Sequence, residues 1–328
     1  MPLTLVTETR DVAAALFQVP SVYTPDDGLC SAKTFLQSRP DGVYTCVRAK
    51  KWMSKLASVD HLSKVIVEWP FHMHRLTTSL FSMLEAENIK CDKVKLKTLQ
   101  MATARVVTAV LTQWQATETV DGMLSVLWYP LVEDGTSNGY GLAVHICSMP
   151  IIQSTVSTLL VYGEMRKNAR CKYTKWIDDR VHIEKHMARV AEKRRGPIHE
   201  AVLSKEGPDG DKVLLEGLVT NFFVVRDERV YTAATGVLEG SMRKLVLDAC
   251  RELSVPVVLE APKLSERNLW QAAFITSVVR VMMNVTCLVW EEKTGQDTVM
   301  HETSILSDTC RLVHRIRDQV SMYCMCPE

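Results

Sequence analysis

The sequence has no excess of charge of either sign, because its 328 residues include 39 lysines and arginines against 38 aspartates and glutamates. A chain with a net charge near zero has no general attraction for nucleic acid or for an anionic membrane surface. It also lacks an apolar run of the roughly 20 residues that a membrane-spanning helix needs. Its first twenty residues contain Glu8 and Asp11 and no basic start followed by an apolar block, so a secretory or transit peptide is not indicated. We therefore expect a cytoplasmic protein with no nucleic-acid or membrane partner.

Closely paired cysteines and clustered metal ligands are scarce as well. The ten cysteines lie mostly inside apolar runs, and none belongs to a CxxC pair. This distribution is typical of reduced, buried thiols in a cytosolic protein rather than of a disulfide framework or a zinc site. The segment HIEKH places His182 and His186 one helical turn apart, but no third ligand is evident, so we expect no metal site.

Several common cofactor motifs are missing. The chain has no GxGxxG after a strand, no GxxxxGK[ST] and no HExxH. These absences argue against a Rossmann dinucleotide site, a P-loop nucleotide site and a zinc protease site.

The hydrophobic pattern predicts an α+β protein of two domains. A length of 328 residues favours two domains over one. Apolar residues recur at helical spacing from about residue 72 to 118, and short β-branched segments follow. The segment CSMPIIQS, with Pro150, marks the predicted boundary between domains 1–149 and 150–328. Later strands cluster in hairpins among helices, which predicts mixed sheets rather than regular βαβ winding.

The stretch LLEGLVTNFFVVRD, from Leu214 to Asp227, places polar residues within an apolar pattern. KVLLEG and VTNFFVV are predicted strands, and we expect Glu216 at the head of the apolar run. Polar groups at such positions need partners, so Glu216, Thr220 and Asn221 indicate a function. Further along, a last helix is predicted from about Ser304 to Tyr323.

Five segments follow one another in an order that resembles a known family. They are FHMHRL (residues 71–76), KYTKW (172–176), LLEGLVTNFFVV (214–225), VLEGSMRKLV (237–246) and AAFITSVVRVMMNV (272–285). Together, over roughly residues 38–290, they resemble class IV aminotransferases. These are the fold type IV enzymes of pyridoxal 5′-phosphate (PLP), and they include branched-chain and D-amino acid aminotransferases and aminodeoxychorismate lyase.

The resemblance implies a fold and a reaction. The expected fold is the two-domain, α+β, D-amino acid aminotransferase-like fold, with PLP between the domains of a homodimer. The expected reaction moves an amino group from an amino acid to a 2-oxo acid. Two alternatives stay open: a PLP-dependent lyase that eliminates pyruvate, and a degenerate homologue that retains the fold as a binding or scaffold protein.

The resemblance also assigns roles to individual residues. Glu216 matches the glutamate of the family's EGxxxN motif, which holds the protonated pyridine nitrogen of PLP, and Asn221 matches its structural asparagine. Lys172 and Lys175 compete as the Schiff-base lysine and proton shuttle. Lys172 is preferred, because Lys175 falls where the family has an asparagine.

A phosphate site is implied by three further segments. Arg75 matches the arginine of HxxRL, and its planar guanidinium suits a phosphate. The turn before the helix at residue 241 offers backbone N–H groups to an anion. The expected phosphate-binding residues are Arg75, Ser241, Met242, Ser277 and Val278.

The sequence departs from the family at three positions. Met242 and Val278 stand where the family has hydroxyl side chains, so donors are lost, although Ser241, Thr276 and Ser277 could partly replace them. In the segment DGVYTCVR, Tyr44 matches an aromatic residue of the substrate pocket, whereas Thr45 replaces a glutamate. The identity of the substrate therefore cannot be carried over from the family.

Overall fold

The structure is a computed structural model that describes residues 3–25, 31–51, 59–90, 93–118, 120–133, 136–295 and 297–325. The chain divides into two compact units. The first consists of residues 1–151, 171–178 and 324–328, and the second of residues 152–170 and 179–323. The sequence predicts a single boundary after residue 149. It does not predict that residues 171–178 and 324–328 return to the first unit. Within the described ranges, no helix has both the length and the apolar character needed to cross a bilayer.

The first unit is built on an antiparallel sheet. Its described elements are β1 (Thr4–Thr9), α1 (Ala32–Gln37), β2 (Val43–Ala49), α2 (Leu62–Val65), α3 (Trp69–Ala86), α4 (Lys93–Thr117), β3 (Gly122–Glu133) and β4 (Thr136–Ser148). The four strands follow the order β1-β4-β3-β2. The two predicted amphipathic helices are α3 and α4.

Helix α3 carries polar side chains on its buried face. It begins after Glu68, which has a positive φ of 59°, and Pro70 lies in its first turn, where its missing N–H costs nothing. Buried positions then recur every three or four residues. His72, Arg75 and Ser79 fall on this apolar side, so the helix buries an imidazole, a guanidinium and a hydroxyl.

Residues 171–178 join the first unit because they pair with β2. The N–H of Tyr44 donates to the carbonyl of Lys172 at 3.0 Å, and the N–H of Thr174 donates to the carbonyl of Gly42 at 3.0 Å. The thiol of Cys171 contacts the carbonyl of Ser79 at 3.3 Å. Lys172 therefore lies in the first unit, whereas the sequence-based division put it in the C-terminal domain.

The second unit contains a nine-stranded mixed sheet. Its described elements, with the short α5 that begins in the returning segment, are β5 (Val156–Glu164), α5 (Lys175–Asp179), α6 (Val181–Arg194), β6 (Glu200–Glu206), β7 (Lys212–Gly217), β8 (Asn221–Arg226), β9 (Arg229–Tyr231), α7 (Ser241–Glu252), β10 (Val257–Val258), β11 (Ala272–Ser277), β12 (Val281–Thr294), β13 (Asp297–Ser304) and α8 (Arg311–Cys324).

The strand order explains where polar residues meet. The path runs β10-β9-β8-β11-β12-β5-β6-β7, with β13 beside β12 and an additional pairing between β7 and β8. Strand β5 is parallel to both β6 and β12, and the other pairs of this central group are antiparallel. The mixed sheet was predicted. The β7–β8 pairing closes a ring of six strands, β8-β11-β12-β5-β6-β7. This pairing consists of one residue pair, Glu216 opposite Asn221.

Two local expectations were wrong. Glu216 lies near the end of β7, not at the head of an apolar run, because the chain turns at residues 218–220 before β8 begins. Ser304 ends β13, and the last helix begins only at Arg311. A 3-10 turn, Ser307–Thr309, lies between the end of β13 and the start of the last helix.

Candidate active site

The first unit brings three predicted segments together in a buried hydrogen-bonded group. The hydroxyl of Thr45, on β2, lies 2.7 Å from Nδ1 of His72, on α3. Nη2 of Arg75 donates to Thr45 Oγ1 at 2.8 Å and lies 3.3 Å from His72 Nδ1. All three side chains are almost fully buried. We call these three residues the Thr45 cluster.

Burial sets the charges in the Thr45 cluster. Burial, followed by the charges of Arg75 and Lys172, lowers the pKa of His72 well below its usual value. The imidazole is therefore neutral at pH 7, and Nδ1 accepts hydrogen bonds while Nε2 carries the proton. Burial also lowers the pKa of Arg75 to about 10, which leaves its guanidinium protonated at neutral pH.

Lys172 lies next to this cluster. Its Nζ lies 4.7 Å from the centre of the Tyr44 ring, on the strand that also carries Thr45. Its backbone N–H donates to Ser79 Oγ at 3.1 Å, one turn beyond Arg75 on α3. Backbone contacts on both sides thus fix the position of Lys172 beside Tyr44.

Lys175 has different surroundings. Its side chain is 53% exposed, and its Nζ lies 3.0 Å from a carboxylate oxygen of Glu87. The hydrogen bond with Tyr173, followed by that with Glu87, raises the pKa of Lys175 above its usual value. A more firmly protonated amine is a poorer nucleophile, so these contacts favour Lys172 over Lys175 as the reactive lysine.

In the second unit, Glu216 is a buried ion-paired carboxylate. Its Oε1 accepts hydrogen bonds from Nε and Nη2 of Arg166 at 2.9 and 2.7 Å. Its Oε2 accepts the backbone N–H of Leu238 at 2.9 Å. The carboxylate is therefore held from two directions.

Asn221 binds the same backbone residue as Glu216. Its Nδ2 donates to the carbonyl of Leu238 at 2.7 Å, so Glu216 and Asn221 together hold both polar groups of that peptide residue. Gly240 then approaches so closely that a Cβ there would lie 2.2 Å from Asn221 Oδ1. The EGxxxN segment thus fixes the turn that leads into α7, consistent with a structural role for Asn221.

Unpartnered hydroxyl groups cluster around this turn. Thr276 lies directly opposite Asn221 in the β8–β11 register, and Ser241 is the first residue of α7. Among the described residues, Thr276 Oγ1, Ser241 Oγ and Thr220 Oγ1 are buried and have no hydrogen-bond partner. Buried hydroxyls without partners are costly, and a bound group often explains them.

Hydrogen bonds of Arg280 hold the second predicted phosphate turn, at Ser277 and Val278. The N–H of Arg280 donates to Ser277 Oγ at 3.1 Å, which closes the turn containing Val278. Arg280 Nη1 donates to Glu200 at 2.9 Å, and Glu200 is 3% exposed. Met242 is also buried, and because a thioether has no hydrogen to donate, it offers no replacement for the missing hydroxyl. No group of three His, Cys, Asp or Glu side chains in the described residues is arranged to hold a metal ion.

Sequence reasoning missed two residues of this region. The sequence pattern singles out neither Arg166 nor Glu200. Arg166 lies only six residues before the candidate lysine, but this spacing does not predict an ion pair. Its partner Glu216 lies 50 residues further along the chain. Neither ion pair could be found from local spacing.

Comparison with known proteins identifies the fold. Residues 155–288 match the family model of amino-transferase class IV. The chain has the class IV aminotransferase fold. The resemblance of the five segments and the predicted α+β architecture are thereby confirmed, and the class IV match runs from the start of β5 into β12.

Solved structures extend this likeness over nearly the whole chain. A hypothetical aminotransferase from Mycobacterium tuberculosis in its PLP-bound form is 15% identical, with a TM-score of 0.66 over 97% of this chain and 98% of that one. A branched-chain aminotransferase from Thermoproteus uzoniensis with norvaline is 14% identical, with a TM-score of 0.64 over 98% and 94%. A fold IV transaminase from Curtobacterium pusillum is 15% identical, with a TM-score of 0.61 over 98% and 99%. A search of curated proteins finds no match.

Proposed function

We propose that this protein is a PLP-dependent aminotransferase that moves an amino group from an amino acid to a 2-oxo acid. The observation that carries the proposal is the setting of Lys172. Its amine lies over Tyr44 and next to the Thr45 cluster, where backbone contacts with β2 and α3 hold it. Lys175, the competing lysine, is bound to Glu87 instead.

The described residues fit PLP as the cofactor. Ser241 Oγ and Thr276 Oγ1 are buried hydroxyls without partners, as donors to a phosphate would be before it binds. Gly240 leaves no room for a side chain at the start of α7, a helix of 12 residues whose first N–H groups suit an anion. In the proposal, Arg75, Ser241, Met242, Ser277 and Val278 hold the phosphate, with Met242 and Val278 using backbone groups.

Each remaining residue has a stated task. Bound PLP supplies an electron sink. Lys172 Nζ would hold the cofactor covalently and, once the substrate amine has displaced it, would move the proton at the substrate Cα. Glu216 offers a carboxylate to the ring nitrogen, Asn221 maintains the turn at Leu238, and Tyr44 with Thr45 lines the substrate side.

Met242 and Val278 support a second candidate, a binding homologue that has lost the cofactor. Loss of two hydroxyls removes two side-chain donors, each of which contributes roughly 1–3 kcal/mol when the acceptor is charged. The unpartnered hydroxyls of Ser241 and Thr276 support the enzyme over this alternative. A lyase reaction uses the same lysine, and product analysis separates it from transamination.

The test begins with an absorption spectrum. Purified protein is incubated with PLP, the excess is removed, and the spectrum is compared with those of Lys172→Ala and Lys175→Ala. We expect a visible band of lysine-bound PLP in the native protein and in Lys175→Ala, and none in Lys172→Ala. No band in any of the three would contradict the proposal and favour the binding homologue.

Reaction and assembly are tested next. Amino acids are supplied with and without a 2-oxo acid acceptor, and formation of pyruvate without an acceptor would indicate the lyase. We also propose a homodimer, which the family resemblance supports, and a cytoplasmic location, which the reduced cysteines of the described residues support. Light scattering should then give about twice the 37.0 kDa of one chain.

A further inference from the structure

Arg166 lies in a loop, yet its side chain is buried in an ion pair with Glu216. The two side chains are only 8% and 4% exposed. Both Nε and Nη2 of Arg166 contact the same oxygen of Glu216, and Nη2 also donates to the carbonyl of Ala169 at 2.7 Å. The guanidinium is therefore itself fixed by the loop that carries it.

A second arginine, Arg243, also carries a charge near Glu216. Arg243 of α7 interacts electrostatically with Glu216 and with Glu239, but its Nη2 donates to the carbonyl of Ala233. Of these two arginines, Arg166 has the direct contact with the carboxylate. A carboxylate in such a buried place is costly when ionised unless a cation pairs with it.

We propose that Arg166 is a positioning residue that keeps Glu216 ionised and aimed for the ring nitrogen of the cofactor. Arg166 binds Oε1, while the N–H of Leu238 binds Oε2, so the plane of the carboxylate is fixed before the cofactor arrives. The role of Arg166 rests on the proposed function, because Glu216 has its task only when PLP binds. The ion pair itself can be measured without PLP.

The first readout is the melting temperature of the cofactor-free protein at several pH values. In Arg166→Met, Glu216 loses the cation that contacts it directly, and burial then shifts it towards its protonated form. The folded protein would bind a proton that the unfolded chain releases above about pH 4.3. Stability relative to the native protein should therefore fall as pH rises from about 4 towards 7.

The expected loss at pH 7.5 is roughly 5–10 °C in melting temperature, with a smaller loss at pH 5. Adding Glu216→Gln to Arg166→Met should recover at least half of the loss at pH 7.5, because no buried charge then lacks a partner. Arg166→Lys should lie between the native protein and Arg166→Met. Arg170→Met, an exposed position of the same loop, serves as the control. Equal losses at both pH values, or a deeper loss in the double variant, would overturn the proposal.

The second readout is the bound cofactor. Arg166→Met should bind PLP roughly tenfold more weakly and shift the visible band, because a protonated or displaced Glu216 loses a charge-assisted hydrogen bond. Arg166→Lys should restore part of both effects. A band and an affinity equal to those of Arg170→Met would overturn the role of Arg166 while the proposed function stood. If the native protein showed no band of lysine-bound PLP, both the proposed function and this role of Arg166 would be overturned. That would hold even if the pH dependence of the melting temperature confirmed the ion pair.

Discussion

At the scale of single residues, burial decides which groups of the first unit carry charge. Arg75 is buried yet protonated, because its pKa of about 10 stays above neutral pH. His72, packed against the same guanidinium, is neutral. One turn of α3 thus presents a cation beside an uncharged acceptor, and Thr45 joins the two through its hydroxyl.

The neutral state of His72 predicts a pH dependence of stability. Its folded pKa lies well below the unfolded value of about 6.5, so the unfolded chain binds a proton that the folded protein does not. Stability should fall as pH drops below about 6.5, by up to about 1.4 kcal/mol per pH unit, until the folded pKa is reached. His72→Gln should remove this contribution. His74→Gln, at an exposed position of the same helix, should retain it. Urea unfolding between pH 5 and 8 measures both, and identical slopes would contradict the assignment.

The hydroxyl of Thr45 predicts a different effect. Thr45→Val removes an acceptor of Arg75 and a partner of His72 while keeping the shape of the side chain, so buried polar groups lose a bond. The expected loss is about 1–3 kcal/mol in the free energy of unfolding. Thr45→Ser retains the hydroxyl and should cost less, although it loses a methyl group. A larger loss in the serine variant than in the valine variant would show that packing, not hydrogen bonding, matters here.

At the scale of elements, the turn before α7 depends on β7 and β8. Glu216 and Asn221 pair at the point where these strands close the ring, and both bind Leu238. Thr276 of β11 continues this polar row on the other side of Asn221. A few strand residues thereby determine the position of a helix N-terminus some twenty residues away in the chain.

This arrangement predicts the effect of Gly240→Ala. The backbone of Gly240, with φ of −76° and ψ of 146°, is allowed for alanine, so the cost comes from the contact with Asn221 Oδ1 and, to a smaller extent, from a poorer N-cap residue. We expect a loss of about 1–3 kcal/mol on urea unfolding and weaker PLP binding. Gly139→Ala, whose Cβ would meet only an ordinary contact at 3.8 Å, is the control. In the Asn221→Ala background the cost of Gly240→Ala should shrink, and undiminished cost would contradict the contact.

Much of this local structure could be predicted from the sequence, but its long-range contacts could not. The amphipathic pattern of α3 and the apolar runs of β7 and β8 are local signals, and the ordered motifs pointed to Arg75, Lys172 and Glu216. The contacts that favour Lys172 over Lys175 involve Glu87, and the ion pair of Glu216 involves Arg166. These partners lie 50 residues or more away in the chain, where no periodicity indicates a contact.

At the scale of the whole molecule, the chain returns to its first unit twice and to its second unit once. Residues 171–178 return to the first unit and lie along β2, whose other edge pairs with β3. The two units are therefore not two consecutive halves of the sequence. Lys172 belongs to the first unit, although it follows residues 152–170 of the second unit in the chain.

This path predicts how an isolated first unit would behave. In a fragment of residues 1–151, residues 65–67 still pair with the end of β2, but its start at Gly42–Tyr44 loses its partner, and an uncovered strand edge promotes aggregation. Fusing residues 170–179 to it through a Gly/Ser linker should restore the backbone bonds to Gly42 and Tyr44 and give a soluble, cooperatively melting protein. In the control fusion, Thr174→Pro removes the N–H that donates to Gly42. Size-exclusion chromatography and thermal melting compare the three. If the unfused fragment were as soluble and as stable as the fusion, residues 171–178 would contribute nothing to the stability of the first unit.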